Sequence, residues 1–257
     1  DNDYKTMDIS YMESVWWVFS ELYNKNLIYR GVKVMPYSNG CNTPLSNFEA
    51  TSNYKTVSDP SLTLKFKLLD IKYKNTYFMV WTTTPWTLPS NLAICVNPCL
   101  QYYILESFID NNNYIIAKDC IFNYFKDESK YKIILSLIGK ELLDIKYEPL
   151  FPYFYDKFKE TSFKVILDKY VESSSGTGLV HVAPAFGKDD YRICMDNGII
   201  SKDILPPCPL DENGKFTDEV GKYNGKYIKD VDDLIIDESL FSYMGYQEKT
   251  FVKYHLN

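Results

Sequence analysis

Two periodicities divide the chain. The stretch SYMESVWWVFSELYNKNLIYRG places Met12, Val15, Trp16, Phe19 and Tyr23 at helical spacing on one face. Ser10 and Glu13 have the spacing of a capping box, and Gly31 is positioned as a C-terminal stop. A helical apolar stripe with two adjacent tryptophans is read as core or as a seat for a neighbouring domain. The next stretch, GVKVMPYSNGCNTPLSNFE, reads as short strand and loop, with turn residues throughout.

From residue 62 the period becomes two. LTLKFKLL alternates apolar and polar positions, as a half-buried strand does, and TYFMVWTTT, LAICV, QYYILE, NYIIA, FKVILD and GLVHVAP continue the series. AKDCIFNYFKD interrupts it as a short helix, and the segment before GKELL fits neither pattern clearly. After Pro184 the spacing turns helical through FGKDDYRICMDNG, and KDVDDLIIDESLFSYMG is a further helix candidate. Many short strands separated by turn signals predict a closed or strongly curved sheet. The expected fold class is therefore α+β and β-rich, a curved β-barrel-like core with short helices around it. Expected boundaries are 1–50 for the N-terminal helix and linker, 51–220 for the core, and 221–257 for a C-terminal helix and linker. No internal repeat is present.

Length and composition narrow this picture. At 257 residues the chain makes one large domain or a core with appendages, and 23 Tyr with 15 Phe supply a sizeable core. A net charge of −6 argues against broad, non-specific nucleic-acid binding, though it leaves room for a local basic patch. No long uninterrupted apolar run predicts a membrane span, and DNDYKTMDIS lacks the architecture of a signal peptide. The chain starts without Met, so a fragment of a longer protein is expected. Cys41, Cys95, Cys99, Cys120, Cys194 and Cys208 form no CxxC pair and read as reduced, mostly buried thiols. Cys95-x3-Cys99 lacks a second pair at ligand spacing, so no metal site is expected.

Candidate chemistry lies in two segments. WTTTPWTLPSN puts Thr82, Thr83 and Thr84 at the end of an apolar run, between Trp81 and Trp86. On a strand, Phe78, Val80, Thr82 and Thr84 share one face, and Thr83 takes the other. Such a row is either a half-exposed strand end or a set of small donors and acceptors at the mouth of a pocket. The second segment centres on His181 in GLVHVAP. Upstream lies SSSGTG, whose backbone NH groups at Gly176, Thr177 and Gly178 can approach a ligand closely. Downstream, Asp189 and Asp190 fall in the first turn of a helix. Acids there have a dipole explanation, which suits Asp189; Asp190 can instead turn toward the strand end and hold a cationic amine. A serine esterase written from Ser173, Ser174 or Ser175 with His181 and Asp190 is disfavoured, because no G-x-S-x-G elbow is present.

WTTTPWTLPSN together with GTGLVHVAPAFGKDDYRIC resembles the editing domain of isoleucyl-tRNA synthetase, the insertion called connective polypeptide one. The Thr-rich segment is shared in looser form with the valyl and leucyl enzymes, and DDYRIC resembles the eukaryotic cytosolic form. The flanks agree: ESVWWVFSELYNKNLIYRGVKVMPYSNGCNTPLSNFE and the run near GKYIKDVDDLII resemble the segments by which the chain leaves and rejoins the catalytic domain. The stretch from about 100 to 160 carries little of the likeness. Val182 departs from the pattern, where Gln is more usual, but by alternation it faces away from His181. Neither His181 and the distant His255 nor any other residues form the H-x-G-H and K-M-S-K-S motifs of an amino-acid-activating site.

The resemblance implies a proofreading ester hydrolase acting on valine mischarged onto tRNA(Ile). It implies that Asp190 binds the α-ammonium and that Thr82, Thr83 and Thr84 orient ribose, ester and water. His181 would limit the side-chain pocket, with Trp86 and Gly176–Gly178 in the substrate-binding surface. No residue stands out as general base. Expected partners are the charged 3′ end of tRNA(Ile) and the remaining synthetase domains, in the cytoplasm and away from membranes. No cofactor is expected in this domain; ATP and Mg²⁺ belong to the missing catalytic domain. The rival reading is a non-catalytic module that docks the tRNA acceptor end.

Overall fold

The computed structural model describes residues 3–52 and 60–241; His255 lies outside them. The chain divides into two compact units between Lys33 and Val34. The first holds helix α1 (Ile9–Asn24). It starts earlier than the Ser10–Glu13 pattern predicts. Asp8 is the N-cap and no side chain caps the end. Ser10 is inside the helix, where its carbonyl accepts from the Ser14 hydroxyl at 2.8 Å. It also stops seven residues before Gly31. Asn26 adopts φ +54°, Asn26 N–H donates to Tyr23 O and Leu27 N–H to Leu22 O, so asparagine supplies the left-handed cap expected of glycine. No residue of α1 is buried, and Trp16 and Trp17 are both exposed. Among the described residues the stripe is therefore not core.

The second unit is built on a mixed sheet. A small hairpin, β1 (Tyr37–Ser38) and β2 (Thr43–Pro44), precedes one helical turn, α2 (Asn47–Ala50), which carries a true capping box from Ser46 and Glu49. The main strands follow: β3 (Leu62–Lys67), β4 (Thr76–Thr82), β5 (Ala93–Val96), β6 (Gln101–Ser107), β7 (Asn113–Ala117), β8 (Tyr131–Ile138), β9 (Lys164–Leu167) and β10 (Leu179–Val182). The predicted alternating segments all become strands, and the unassigned run before GKELL becomes β8. Short helices α3 (Ile121–Tyr124) and α4 (Tyr155–Phe158) lie between strands, and α5 (Lys188–Asp196) and α6 (Asp232–Phe241) follow β10.

The sheet order is β8-β6-β7-β4-β10-β5-β9, with β3 on the other edge of β4. It curls, because β4 shares one edge between two neighbours. Thr76–Phe78 pair with Asn113–Ile115 of β7, while Trp81 pairs with Val180 of β10. Segment 144–148 then ties the far ends together. Leu69 N–H donates to Lys146 O beyond β3, and Tyr147 N–H donates to Phe163 O beside β9, each at 3.0 Å. The result is a barrel-like ring with β7, β6 and β8 running outward from it. Phe66, Phe78, Val80, Ile94 and Val165 are fully buried within it. Burial of such side chains contributes roughly 1.5–3 kcal/mol each and is the main force closing the ring. Gly178 makes the β7–β10 approach possible: a Cβ there would stand 2.3 Å from the Ala117 Cβ, and its φ is +76°.

Candidate active site

The end of β4, the start of α5 and the strand β10 meet at a cleft of about 290 Å³. Thr82, Thr83, Thr84, Trp86, Thr87, His181, Phe186 and Asp190 line it, together with Trp81, Val180, Ala183 and Gly187. Thr82 and His181 are far apart in sequence but adjacent here because β4 and β10 pair in parallel at Trp81 and Val180.

The threonine row is not one strand edge, as the alternation predicts. β4 ends at Thr82, and Pro85 forces the chain into a 3-10 turn over Pro85–Ser90. Thr83 and Thr84 leave the strand. The turn nevertheless keeps the hydroxyls together. Thr82 Oγ1 accepts from Thr84 N–H at 3.1 Å and lies 3.4 Å from Thr84 Oγ1, which is 3.3 Å from Thr87 Oγ1. Thr83 is partly exposed, and among the described residues its hydroxyl has no hydrogen-bond partner.

His181 is buried, and its tautomer follows from its neighbours. Asn91 Nδ2 donates to the Ala93 carbonyl at 2.9 Å, which fixes the amide, and lies 3.3 Å from His181 Nδ1. The Tyr147 hydroxyl donates to Asn91 Oδ1 at 2.7 Å. Nδ1 is thus the acceptor, and Nε2 carries the hydrogen. Nε2–H donates to Thr87 Oγ1 at 2.8 Å, while the Thr87 hydroxyl donates to Thr84 O, also at 2.8 Å. Burial pushes the imidazole pKa down to about 4. The ring is a neutral wall of the cleft with both nitrogens engaged.

Asp190 faces the same cleft from α5. Its Oδ2 accepts from Ala183 N–H at 2.9 Å, folding the carboxylate back over the helix N-terminus. Gly187 leaves room for this: a Cβ there would be 2.7 Å from Asp190 Cγ. Burial raises the Asp190 pKa to about 6, the Ala183 hydrogen bond lowers it, and Asp189 adds a smaller upward push. Burial outweighs the Ala183 hydrogen bond here. Asp189 points elsewhere. It is exposed and pairs at 3.3 Å with Arg192, whose other nitrogen holds Asp168 at 2.8 Å.

Gly176, Thr177 and Gly178 line a neighbouring cleft of about 240 Å³ with Tyr170, Glu172 and Ser175. Trp81 and Val180 border both spaces. Trp86 packs edge-on against Phe186, with centroids 4.9 Å apart, and forms a wall of the first cleft. The sequence reading missed Thr87 and Asn91, although both lie in WTTTPWTLPSN. The i, i+3 spacing of Thr84 and Thr87 across Pro85 was the available signal. Among the described residues no group of His, Cys, Asp or Glu is arranged to hold a metal ion.

The fold is that of synthetase editing domains. A crystal structure of GlLeuRS-CP1 matches with a TM-score of 0.54 at 16% identity, covering 74% of this chain and 99% of that one. The editing domain of P. knowlesi cytosolic leucyl-tRNA synthetase matches with a TM-score of 0.53 at 13% identity, covering 72% and 96%. Residues 1–238 match the family described as tRNA synthetases class I (I, L, M and V), and the chain belongs to that family. Cytoplasmic isoleucine–tRNA ligases are much more similar in sequence. The Saccharomyces cerevisiae protein is 50% identical over 238 residues, and the Mus musculus protein 51% over 236. Each alignment covers 92% of this chain but only 22% and 18% of the relatives, so the chain spans about a fifth of their length.

Proposed function

We propose that the chain is the proofreading domain of a cytoplasmic isoleucine–tRNA ligase and hydrolyses the ester of valine mischarged onto tRNA(Ile). One observation carries the reading: an anionic side chain, a row of hydroxyls and a neutral histidine wall, from three separate elements, share one cleft. The need for such a cleft is physical. A site that fits isoleucine cannot exclude valine, because one methylene is worth only about 1–3 kcal/mol, a general bound for which isoleucyl-tRNA synthetases are themselves the standard illustration. A second, smaller site removes the error.

Each group has a task in that reaction. Ionised Asp190 receives the α-ammonium in a charge-assisted hydrogen bond worth about 1.5–3 kcal/mol. The Thr83 hydroxyl is open to the substrate, and Thr82 and Thr84 lie beside it to orient ester, ribose and water and to meet developing oxyanion charge. His181 limits the space for the amino-acid side chain, and Trp86 with Phe186 forms a wall. The basic nitrogen of His181 is turned onto Asn91, so the ring is not the general base. A positioned water and the vicinal ribose hydroxyl complete the step, because an aminoacyl ester is already activated and positioning supplies much of the rate. The reaction uses no ATP or Mg²⁺; both serve the activating site elsewhere in the ligase. The remaining domains supply most phosphate contacts, given the net charge of −6.

The test is deacylation of valyl-tRNA(Ile) by the purified chain, with isoleucyl-tRNA(Ile) as control. Release of valine but not isoleucine is expected. Binding of the tRNA end without release of valine would replace this reading by the docking one.

A further inference from the structure

We infer that Asp232 is a positioning residue for this hydrolysis: it caps the Pro85–Ser90 turn from a distant helix and so leaves the Thr84 hydroxyl to the cleft. The inference rests on the proposed deacylase reading.

The head of that turn has N–H groups that need acceptors. Pro85 has none, and Thr87 N–H donates to Thr84 O at 3.0 Å. Trp86 N–H is left. Thr84 is the N-cap residue, and a threonine there ordinarily turns its hydroxyl onto the N–H two or three residues on. It does not do so here. Its Oγ1 lies instead between those of Thr82 and Thr87, in the wall of the cleft. The Trp86 N–H donates to Asp232 Oδ1 at 3.2 Å, across 146 positions of sequence. Asp232 is 5% exposed, in the first turn of α6, which packs on this turn. A buried carboxylate is costly and is kept where it meets a need. One need met here is an acceptor for Trp86 N–H that does not consume a cleft hydroxyl. Without Asp232, the Thr84 hydroxyl would be the local acceptor for that N–H and would be drawn away from Thr82 and Thr87.

A double-mutant cycle tests this with valyl-tRNA(Ile) deacylation by the chain. Asp232→Ala is expected to lower kcat about tenfold with little change in KM, less than outright removal of an oriented donor, because the Thr84 hydroxyl is displaced and not lost. Asp232→Asn should recover most of the loss, since its amide oxygen can accept from Trp86 N–H. In a Thr84→Val background, Asp232→Ala should change kcat less than about twofold, because the hydroxyl it protects is already gone. Should the alanine variant not fold, Asp232→Glu, which displaces the carboxylate by one methylene, takes its place in the cycle. Equal losses in both backgrounds overturn the inference, as does an unchanged kcat for folded Asp232→Ala. A wild-type chain without deacylase activity rejects the proposed function itself, and is seen before any variant is made.

Discussion

His181 Nε2 and the Thr87 hydroxyl lie 2.8 Å apart, and this contact turns the histidine into a fixed wall. With Asn91 on Nδ1, the ring has no nitrogen left to take a proton from water. His181→Ala is therefore expected to enlarge the cleft rather than remove a base. It should admit isoleucine's extra methylene, whose exclusion by an opposing side chain is worth about 1–3 kcal/mol. Hydrolysis of isoleucyl-tRNA(Ile) should appear, and that of valyl-tRNA(Ile) persist at a reduced rate. Deacylation of both charged tRNAs decides between the roles. Full protection of isoleucyl-tRNA(Ile), with valyl-tRNA(Ile) hydrolysis gone, would remove the size-limiting role.

The three threonines should separate by experiment. Thr83 has an unengaged hydroxyl, whereas Thr82 Oγ1 holds the Thr84 N–H at 3.1 Å. Thr83→Val should lower kcat by roughly tenfold or more while leaving Tm unchanged. Thr82→Val should also cost about 1–2 kcal/mol of stability, because a partly buried N–H loses its acceptor. Thermal melts alongside single-turnover deacylation give both readouts. Equal melts for the two variants would contradict the hydrogen-bond assignment.

Gly187 offers a steric test of the proposed ammonium site. An alanine Cβ would stand 2.9 Å from Asp190 Oδ2, so the carboxylate must swing off the Ala183 N–H. Gly187→Ala should raise KM for valyl-tRNA(Ile) and lower kcat/KM about tenfold, since a small misplacement of a binding group is enough. Its φ of −125° suits any residue, so the fold should survive. Unchanged kinetics would show that Asp190 does not need its observed rotamer.

Much of this was legible in the chain. The alternation of LTLKFKLL to GLVHVAP gave the strands, because each buries one face and period two records it. Asp189 and Asp190 share the first turn of α5, and the sequence offered only that Asp190 can turn toward the strand end; in the structure Arg192 engages Asp189 and not Asp190. Other features depend on contacts no local pattern records. The Asn91–His181 pair spans 90 residues, and Asp232 reaches Trp86 across 146. Thr84 was misplaced on the strand because Pro85 breaks it early. The apolar stripe of α1 gave the helix but not its partner, since burial is a property of the assembly rather than of the stripe.

Asp190 also links function to stability, and the two should move in opposite directions. Its carboxyl is raised from 3.8 to about 6, with burial as the main cause. A raised folded-state pKa means that the fold prefers the protonated acid. The stability this contributes is complete below about pH 4 and is lost as pH rises through about 6. At neutral pH the ionised group is thus a burden on the fold, by at most about 3 kcal/mol. The proposed reaction needs the ionised form, because only that form would pair with the substrate ammonium. Two outcomes follow. In the wild type, kcat/KM should fall as pH drops below about 6, while thermal stability does not show a matching loss from this group. Asp190→Asn keeps an oxygen for Ala183 N–H but no charge. It should nearly abolish deacylation and raise Tm at pH 7–8, with the gain disappearing toward pH 4. Asp189→Ala should do neither, since that side chain is exposed and paired with Arg192. A pH series of melts on wild type and Asp190→Asn, beside the pH–rate profile, checks both. A variant destabilised at every pH would show that the carboxylate serves the fold, and would take the ammonium-binding role away from Asp190.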